Sequence, residues 1–161
     1  MGDVTVSREI KAPPEAIYAM VADLRRMGEW SPECERVEWT KGATGPAVGA
    51  TFRGHNRNGW HRWSSTGEIV VADPGREFAF EVRAIFDLPV ARWSYTFEPS
   101  GDGATVREST IDRRGWFIRT AGRLATGVAD RAERNRQTMT ATLESLASAA
   151  EKNDSTGETR P

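Results

Sequence analysis

The sequence predicts an α+β domain in which a seven-stranded antiparallel sheet packs against a long C-terminal helix. Two observations carry this prediction. Between residues 33 and 111, apolar and polar residues alternate with a period of two, and turn residues divide this segment into six strands; another strand precedes it. Between residues 116 and 151, apolar residues recur at steps of three and four, which is the spacing of one helix face. We expect the sheet to cover that face.

The first elements are a strand and two short helices. Alternation of apolar and polar residues predicts a strand over residues 4–11, with Arg8 on its buried side. A helix starts at Pro13 and Pro14, because proline needs no amide partner in a first turn, and it ends near Asp23. A second short helix is expected to run through Met27 and to stop at Gly28.

The six later strands have short connections, which favour an antiparallel meander. They are predicted over residues 33–41, 48–55, 60–72, 76–84, 91–98 and 104–111. Alternation also assigns faces. The face predicted to meet the helix carries Phe52, Gly54, Asn56, His61, Trp63, Ser65, Gly67, Ile69, Phe78, Phe80, Val82, Trp93, Tyr95 and Phe97. The opposite face is charged and is predicted to lie in solvent.

The totals fit one domain, over residues 1–151, followed by a disordered polar tail over 152–161. A net charge of -1 gives no reason to expect a nucleic acid partner. The single cysteine, Cys34, is interpreted as an incidental thiol, and with no signal-like N-terminus it predicts a cytoplasmic protein. Two histidines and one cysteine make a metal site improbable, and no phosphate-binding loop is present. The sequence therefore implies no metal and no cofactor.

Several short segments resemble one known superfamily in their order and spacing. They are residues 9–15 (EIKAPPE), 21–23 (VAD), 30–32 (WSP), 48–54 (VGATFRG) and 93–99 (WSYTFEP). Together they resemble the START-like or SRPBCC superfamily, whose Bet v 1-like helix-grip fold includes the polyketide cyclase/dehydrase proteins. The resemblance covers residues 3–151.

The resemblance implies a sheet that wraps around the long helix and leaves a cavity for a hydrophobic molecule. The expected function is binding, and transport, of a hydrophobic or amphipathic small molecule such as a lipid or a polyketide. The alternative is a polyketide cyclase or dehydratase that uses acid-base chemistry in the same cavity, so the sequence leaves open whether the protein is an enzyme. A protein-binding module is a third hypothesis. Monomer and homodimer both stay open.

Two charged residues stand on the buried side of the sheet, Arg8 on the first strand and Glu108 on the last. The resemblance makes these strands neighbours, so we expect the two side chains to meet inside. The pair could bind a polar ligand end or transfer a proton; a structural ion pair is the alternative.

His61 and Tyr95 are the other catalytic candidates, because histidine can act as acid or base near neutral pH and tyrosine can hold an enolate oxygen. A polar residue beside a loop and a core aromatic are the respective alternatives. The residues expected to line the ligand site are Trp30, Phe52, Asn56, Trp63, Phe80, Phe86, Trp93, Tyr95, Glu108, Trp116, Phe117, Ala121, Leu124 and Asn135.

The front of the C-terminal helix is expected to be the lid of that site. Gly122 and Gly127 would thin it where ligand or sheet approaches, and Trp116 and Phe117 would face Phe86 across the entrance. Seven arginines between residues 113 and 136 are interpreted as a solvated helix face. They leave open a transient contact with a membrane surface.

Overall fold

The computed structural model of the protein describes residues 3 to 157, apart from the side chains of residues 85, 117 and 154 to 157. The strands are β1 Val4–Ile10, β2 Cys34–Thr40, β3 Thr51–Asn58, β4 His61–Asp73, β5 Glu77–Arg83, β6 Pro89–Ser100 and β7 Gly103–Asp112. The helices are α1 Pro14–Ala22, α2 Met27–Trp30, α3 Trp116–Thr126 and α4 Arg131–Gly157, with short 3-10 turns at Leu24–Arg26 and Ile85–Asp87.

All strands belong to one antiparallel sheet, in the order β1-β7-β6-β5-β4-β3-β2. The six strands from β2 to β7 form the predicted meander, and β1 closes onto β7, with Val6 opposite Glu108. The predicted strand positions differ from the observed ones by only a few residues at each end. The predicted α+β fold is confirmed.

The period-two pattern assigned the two faces of the sheet correctly. Phe52, Ile69, Phe80 and Tyr95 are buried on the face that the helices cover. The residues between them, such as Arg53, Glu68 and Glu98, are exposed on the other face. Burying one aromatic or aliphatic side chain is worth about 1.5–3 kcal/mol, so this alternation supplies much of the driving force for the sheet.

One of the two inner-face glycines is a packing device. A Cβ atom at Gly67 would overlap the ring of Phe52, which lies directly opposite on β3. That ring in turn packs edge-on against Phe80, with centroids 5.5 Å apart. At Gly54, by contrast, the nearest atom to an added Cβ would be Oγ of Ser65, at 3.7 Å. The space that the missing side chain of Gly67 leaves on the inner face is therefore filled by the Phe52 ring.

The long helix α4 supplies the cover for one side of the sheet. It packs mainly along β1 and also contacts α1, α2 and β7. Its buried residues Met139, Leu143 and Leu146 belong to the predicted apolar stripe. Near its C-terminus, the Glu151 carboxylate accepts a hydrogen bond from the backbone N–H of Lys11 at 3.2 Å. The rear half of the predicted helix is therefore core, as expected.

The predicted single helix from residue 116 is wrong, because the chain breaks at Gly127 into α3 and α4. Gly127 is left-handed, with φ of 67°, and its N–H donates a hydrogen bond to the carbonyl of Arg123 at 3.0 Å. A side chain there would also overlap the ring of His61. Asp130 then caps α4, accepting the backbone N–H of Glu133 at 3.1 Å. A glycine stop and an aspartate start thus separate the two helices.

Two further boundaries differ from the prediction. Gly28 does not stop the second short helix, since α2 continues to Trp30. A Cβ at Gly28 would lie 2.9 Å from the backbone oxygen of Glu35, so glycine lets α2 approach β2 closely. The tail predicted as disordered from residue 152 begins as helix, because α4 continues to Gly157. Residues 158 to 161 lie outside the described residues.

A buried carboxylate fixes the start of α4. Glu33, which is 7% exposed, accepts a hydrogen bond from Arg131 at 2.8 Å and another from Arg134 at 2.9 Å. Arg134 also donates to Asn58 at 3.3 Å, and Asn58 donates to the carbonyl of Thr126 at 3.0 Å. We call Glu33, Arg131, Arg134 and Asn58 the Glu33 clamp. It ties the end of α3 and the start of α4 to the strands β2 and β3.

The two inner-face glycines predict opposite responses to the same substitution. Gly67→Ala should lower the free energy of unfolding by about 2 kcal/mol or more, because the new methyl group must displace the Phe52 ring from a packed core. Gly54→Ala is the matched control, with room for the methyl group, and should change stability by less than about 1 kcal/mol. Urea unfolding of both variants measures the difference. Equal losses would mean that the Phe52 ring does not depend on Gly67.

Candidate functional site

The centre of the site is a hydrogen bond between two buried side chains on neighbouring strands. Tyr95 of β6 and Glu108 of β7 lie directly opposite each other in the register, and both are 2% exposed. Tyr95 donates its hydroxyl to Oε1 of Glu108 at 2.7 Å. The second oxygen, Oε2, is buried and has no hydrogen-bond partner among the described residues. Oε2 can therefore accept a hydrogen bond from another group, or donate one when the carboxyl is protonated.

Glu108 is kept neutral by its surroundings. Burial raises the pKa of its carboxyl to about 8, and the hydrogen bond from Tyr95 lowers that pKa only in part. Burial, together with the nearby Glu108, also raises the pKa of Tyr95 well above its ordinary value. Near pH 7 the pair is therefore an un-ionised carboxyl next to an un-ionised phenol. Such a carboxyl carries one O–H donor, and Oε2 is the oxygen free to present it.

Four more uncharged polar groups are buried without a hydrogen-bond partner among the described residues. One is the hydroxyl of Thr96, which alternates with Tyr95 along β6 and so belongs to the outer face of the sheet. The other three are the hydroxyl of Thr110, Oδ1 of Asn135 and Nε1 of Trp30. Thr110 follows Glu108 on the same face of β7, opposite Trp93, while Asn135 lies on α4 and Trp30 on α2. Buried polar groups in proteins are normally hydrogen-bonded, so these groups indicate a place for water or for a polar ligand.

Aromatic side chains form the wall beside these polar groups. Trp63 and Trp93 point to the helix side, yet both are only half-buried. The guanidinium of Arg131 lies 5.8 Å from the centre of the Trp63 ring. Because α4 packs mainly on β1 and α3 packs on β4, part of the concave face stays in contact with solvent. Apolar walls with a few polar groups are typical of small-molecule sites.

Two surface depressions lie outside this region. One, of about 630 Å³, is formed by the β2–β3 loop, including Lys41 and Pro46. The other, of about 430 Å³, lies between α1 and the same loop, beside Tyr18, Trp39 and Pro74. Neither is the space between sheet and helices that the sequence predicts for a ligand.

Among residues 3 to 157, no group of three histidine, cysteine, aspartate or glutamate side chains could hold a metal ion. In the same range, no helix combines the length and apolar character needed to cross a membrane.

A family model described as polyketide cyclase / dehydrase and lipid transport matches residues 1–151. The chain belongs to this family. Among proteins with curated functions, no sequence matches significantly. The polyketide-cyclase-like protein Cgl2372 of Corynebacterium glutamicum shares 29% identity with a TM-score of 0.59, over 94% of this chain and 91% of that one.

Two more distant structures show the fold alone. The di-domain ARO/CYC StfQ of the steffimycin biosynthetic pathway has 13% identity and a TM-score of 0.74, over 96% of this chain and 52% of StfQ. Ara h 8.0201 has 12% identity and a TM-score of 0.66, over 92% of this chain and 96% of that one. The helix-grip, Bet v 1-like class of the fold is therefore confirmed, as is the family resemblance.

Within this polyketide cyclase/dehydrase-family fold, Arg8 does not meet Glu108. Arg8 stands on the inner side of β1, opposite Val106, but β1 is an edge strand. Its guanidinium therefore reaches solvent and lies 3.9 Å from Glu144 on α4, and both side chains are exposed. The expected Arg8–Glu108 pairing is wrong. The long Arg8 side chain starts on the inner side of β1, but at the edge of the sheet it can extend past the core and keep its charged end in water.

His61 and Asn56 lie at the β3–β4 end of the sheet rather than beside Tyr95. The His61 ring stacks on Trp60, with centroids 3.7 Å apart, and packs against Gly127 at the turn between α3 and α4. Asn56 pairs across β3 and β4 with Trp63 and is half-buried. The structure thus separates His61 from the Tyr95–Glu108 pair and gives it a packing contact.

The inner wall contains much of the predicted lining, whereas α3 does not. Trp30, Phe52, Phe80 and Asn135 are buried as expected. On α3, Trp116 and Leu124 are 80% and 81% exposed, Ala121 is exposed, and Phe86 of the β5–β6 loop is 88% exposed. The side chain of Phe117 lies outside the described part. The described lining candidates of α3 and of the β5–β6 loop are therefore exposed, and their contact with a ligand stays a prediction.

The two glycines of the expected lid have different surroundings. His61 of β4 lies close to Gly127, which fits the predicted close approach of the sheet to this glycine. Gly122 has no atom within 4 Å of an added Cβ, so nothing approaches it closely. The sheet therefore does not approach Gly122, and its predicted closeness to a ligand stays a prediction.

The arginines near the front of the helix do not form a simple solvated face. Most of them pair with carboxylates at short range. Besides Arg131 and Arg134 on Glu33, the pairs are Arg113–Glu81 at 2.9 Å, Arg114–Asp112 at 2.8 Å, Arg119–Asp112 at 3.6 Å and Arg136–Glu133 at 2.6 Å. The local basic excess is therefore largely neutralised by the protein itself.

Sequence reasoning passed over two residues, Thr110 and Glu33. Thr110 lies two residues after Glu108 on β7, so the alternation of this strand places both side chains on the inner face. The sequence could therefore have predicted that Thr110 is buried. Glu33 directly precedes β2, and nothing in the local sequence indicates that it is buried. Burial raises the pKa of the Cys34 thiol to about 11, so the thiol is un-ionised near neutral pH. An incidental role for Cys34 fits this state.

The neutral carboxyl predicts a pH-dependent stability. The folded chain keeps the Glu108 proton up to about pH 8, whereas the unfolded chain releases it near 4.5. Stability should therefore fall as pH rises from about 4.5 to 8, with the full loss above that range. Glu108→Gln carries no proton to lose, so its free energy of unfolding relative to wild type should rise by on the order of 3 kcal/mol between pH 5 and 9.

Chemical denaturation at several pH values measures this change. Glu144→Gln, at an exposed position, is the control and should follow the wild-type pH profile. A Glu108→Gln profile parallel to that of wild type would show that Glu108 is ionised in the folded protein.

Proposed function

We propose that the protein binds a hydrophobic or amphipathic small molecule between the inner face of the sheet and the helices α3 and α4. The observation that carries this proposal is the set of buried polar atoms without partners beside an aromatic wall. Oε2 of Glu108 is the central one, with the hydroxyl of Thr110 and Oδ1 of Asn135. Leaving such atoms unsatisfied costs about 1–3 kcal/mol each, and a ligand or water removes that cost.

The path into this space supports the same proposal. Trp63 and Trp93 are half-buried although they face inward, which gives an apolar molecule surface to bind. The short helix α3 is joined to α4 by the left-handed Gly127, a point at which a small change in backbone angles would move α3. Membership in a family described by polyketide cyclisation, dehydration and lipid transport agrees with a ligand of this kind.

A second candidate function is acid catalysis on a polyketide-like substrate. The observation that favours it is an un-ionised Glu108 with a pKa near 8, held by Tyr95, because an acid of that strength can give a proton to a carbonyl oxygen near neutral pH. Turnover of a model poly-β-ketone that Glu108→Gln abolishes would support this candidate. Binding of the same compound without turnover would contradict this second candidate and support the binding function alone.

Native mass spectrometry tests the binding proposal. Protein purified without detergent should show an added mass, or should take up 8-anilinonaphthalene-1-sulfonate with a rise in fluorescence. Ser65→Phe, on the inner face of β4, should weaken uptake of the dye by about tenfold because the ring fills the space beside the wall.

Thr66→Phe is the matched control, since residue 66 is exposed on the outer face of the same strand. It should bind the dye like wild type, and circular dichroism should show that both variants are folded. Wild-type protein that carries no added mass and takes up no dye would contradict the proposal. Equal weakening by both variants would place the site outside the inner face.

A further inference from the structure

The open oxygen of Glu108 restricts what a ligand can present to it. Oε1 already accepts the hydroxyl of Tyr95 at 2.7 Å, so Oε2 is the atom left for a ligand. It lies on the inner face of β7, with Val6 opposite on β1 and Tyr95 opposite on β6. A protonated carboxyl whose other oxygen is engaged offers its O–H at Oε2. The natural partner is an oxygen that accepts a hydrogen bond.

The arginines of β1 and of the first turn of α4 are already paired with carboxylates. Arg8 of β1 turns outward to Glu144 of α4, and Arg131 and Arg134 of α4 are held by Glu33. The other unpartnered groups, on Thr96, Thr110, Asn135 and Trp30, are uncharged. Burying a carboxylate without a cation is far more costly than burying a ketone of the same size.

The remaining titratable groups around Glu108 are also neutral. Tyr95 of β6 and the half-buried Cys34 of β2 both have raised pKa values because they are buried. The neighbouring buried positions of α4, Thr138 and Thr142, carry hydroxyls that donate to the backbone of their own helix. Near pH 7 the interior therefore holds polar groups but no net charge.

We propose that the site selects uncharged ligands with a hydrogen-bond-accepting carbonyl oxygen, which Glu108 binds through Oε2, and that it rejects the corresponding carboxylates. This inference rests on the proposed binding function and names the chemical class of its ligand. A ketone, ester or quinone carbonyl set in an apolar, aromatic-sized skeleton meets these conditions. A free fatty acid or an aromatic acid, in its ionised form, does not.

A pair of probes with the same skeleton tests the charge preference. 2-Acetylnaphthalene and 2-naphthoate differ in that one presents a ketone and the other, at pH 6, a carboxylate. Isothermal titration at pH 6 should give at least about tenfold tighter binding of the ketone. Equal or tighter binding of 2-naphthoate would overturn the inference but leave the binding function intact. Failure of both probes to bind would count against the binding function, and the inference would fall with it.

The role of Glu108 has its own readout. Binding of 2-acetylnaphthalene to wild type should weaken as pH rises through about 8, where Glu108 loses its proton. Glu108→Gln keeps an N–H donor at that position, so it should retain most of the affinity at every pH. Tyr95→Phe removes a hydrogen bond that lowers the pKa of Glu108, so it should move the midpoint to higher pH.

A purely structural Glu108 would not produce this pattern. Ketone binding that stays constant from pH 6 to 9 in wild type, or the same midpoint in Tyr95→Phe, would contradict the donor role. Thermal unfolding of each variant at pH 6 confirms that the compared proteins are folded.

Discussion

The ion pairs of Glu33 determine how the C-terminal third of the chain is arranged. A carboxylate that is 7% exposed needs compensation, and Arg131 and Arg134 supply it from the first turn of α4. The start of α4 is thereby held at the β2 edge, and through Asn58 the end of α3 is held at β3. With both helix ends fixed to the sheet, Gly127 takes up the change of direction between them.

This arrangement also decides what the interior contains. Helix α4 runs mainly over β1, and α3 packs against β4, so the inner face of the central strands receives an incomplete cover. Tyr95, Glu108 and Thr110 are buried on that inner face, and Arg8, Arg131 and Arg134 are already paired with carboxylates. The interior is consequently polar but uncharged. Glu108 can remain protonated there because no cation stabilises its ionised form.

The strands and their faces were predictable because alternation depends on local sequence alone, and turn residues mark each boundary. The break between α3 and α4 was missed, although Gly127 followed three residues later by Asp130, with Glu133 beyond it, is the pattern of a helix stop and a capped start. Gly127 was instead interpreted as a position inside one helix that ligand or sheet approaches closely. The inward direction of Glu108 was predicted, but its hydrogen bond with Tyr95 was not. Alternation placed Arg8 on the inner side of β1, yet it does not reveal that β1 is an edge strand from which Arg8 reaches solvent.

Contacts between distant parts of the chain were beyond local reasoning. Glu33 and its arginines are 98 and 101 residues apart in sequence, so the arginines were interpreted as a solvated face. The functional roles of Glu108, Tyr95 and the lining residues stay predictions. The proposed preference for uncharged ligands, and the role of Glu108 as a hydrogen-bond donor, depend on Glu108 being neutral near pH 7. Carbon-13 NMR of the side-chain carboxyl, assigned with Glu108→Gln, measures this directly: we expect titration near pH 8, and titration near pH 4.5 would contradict it.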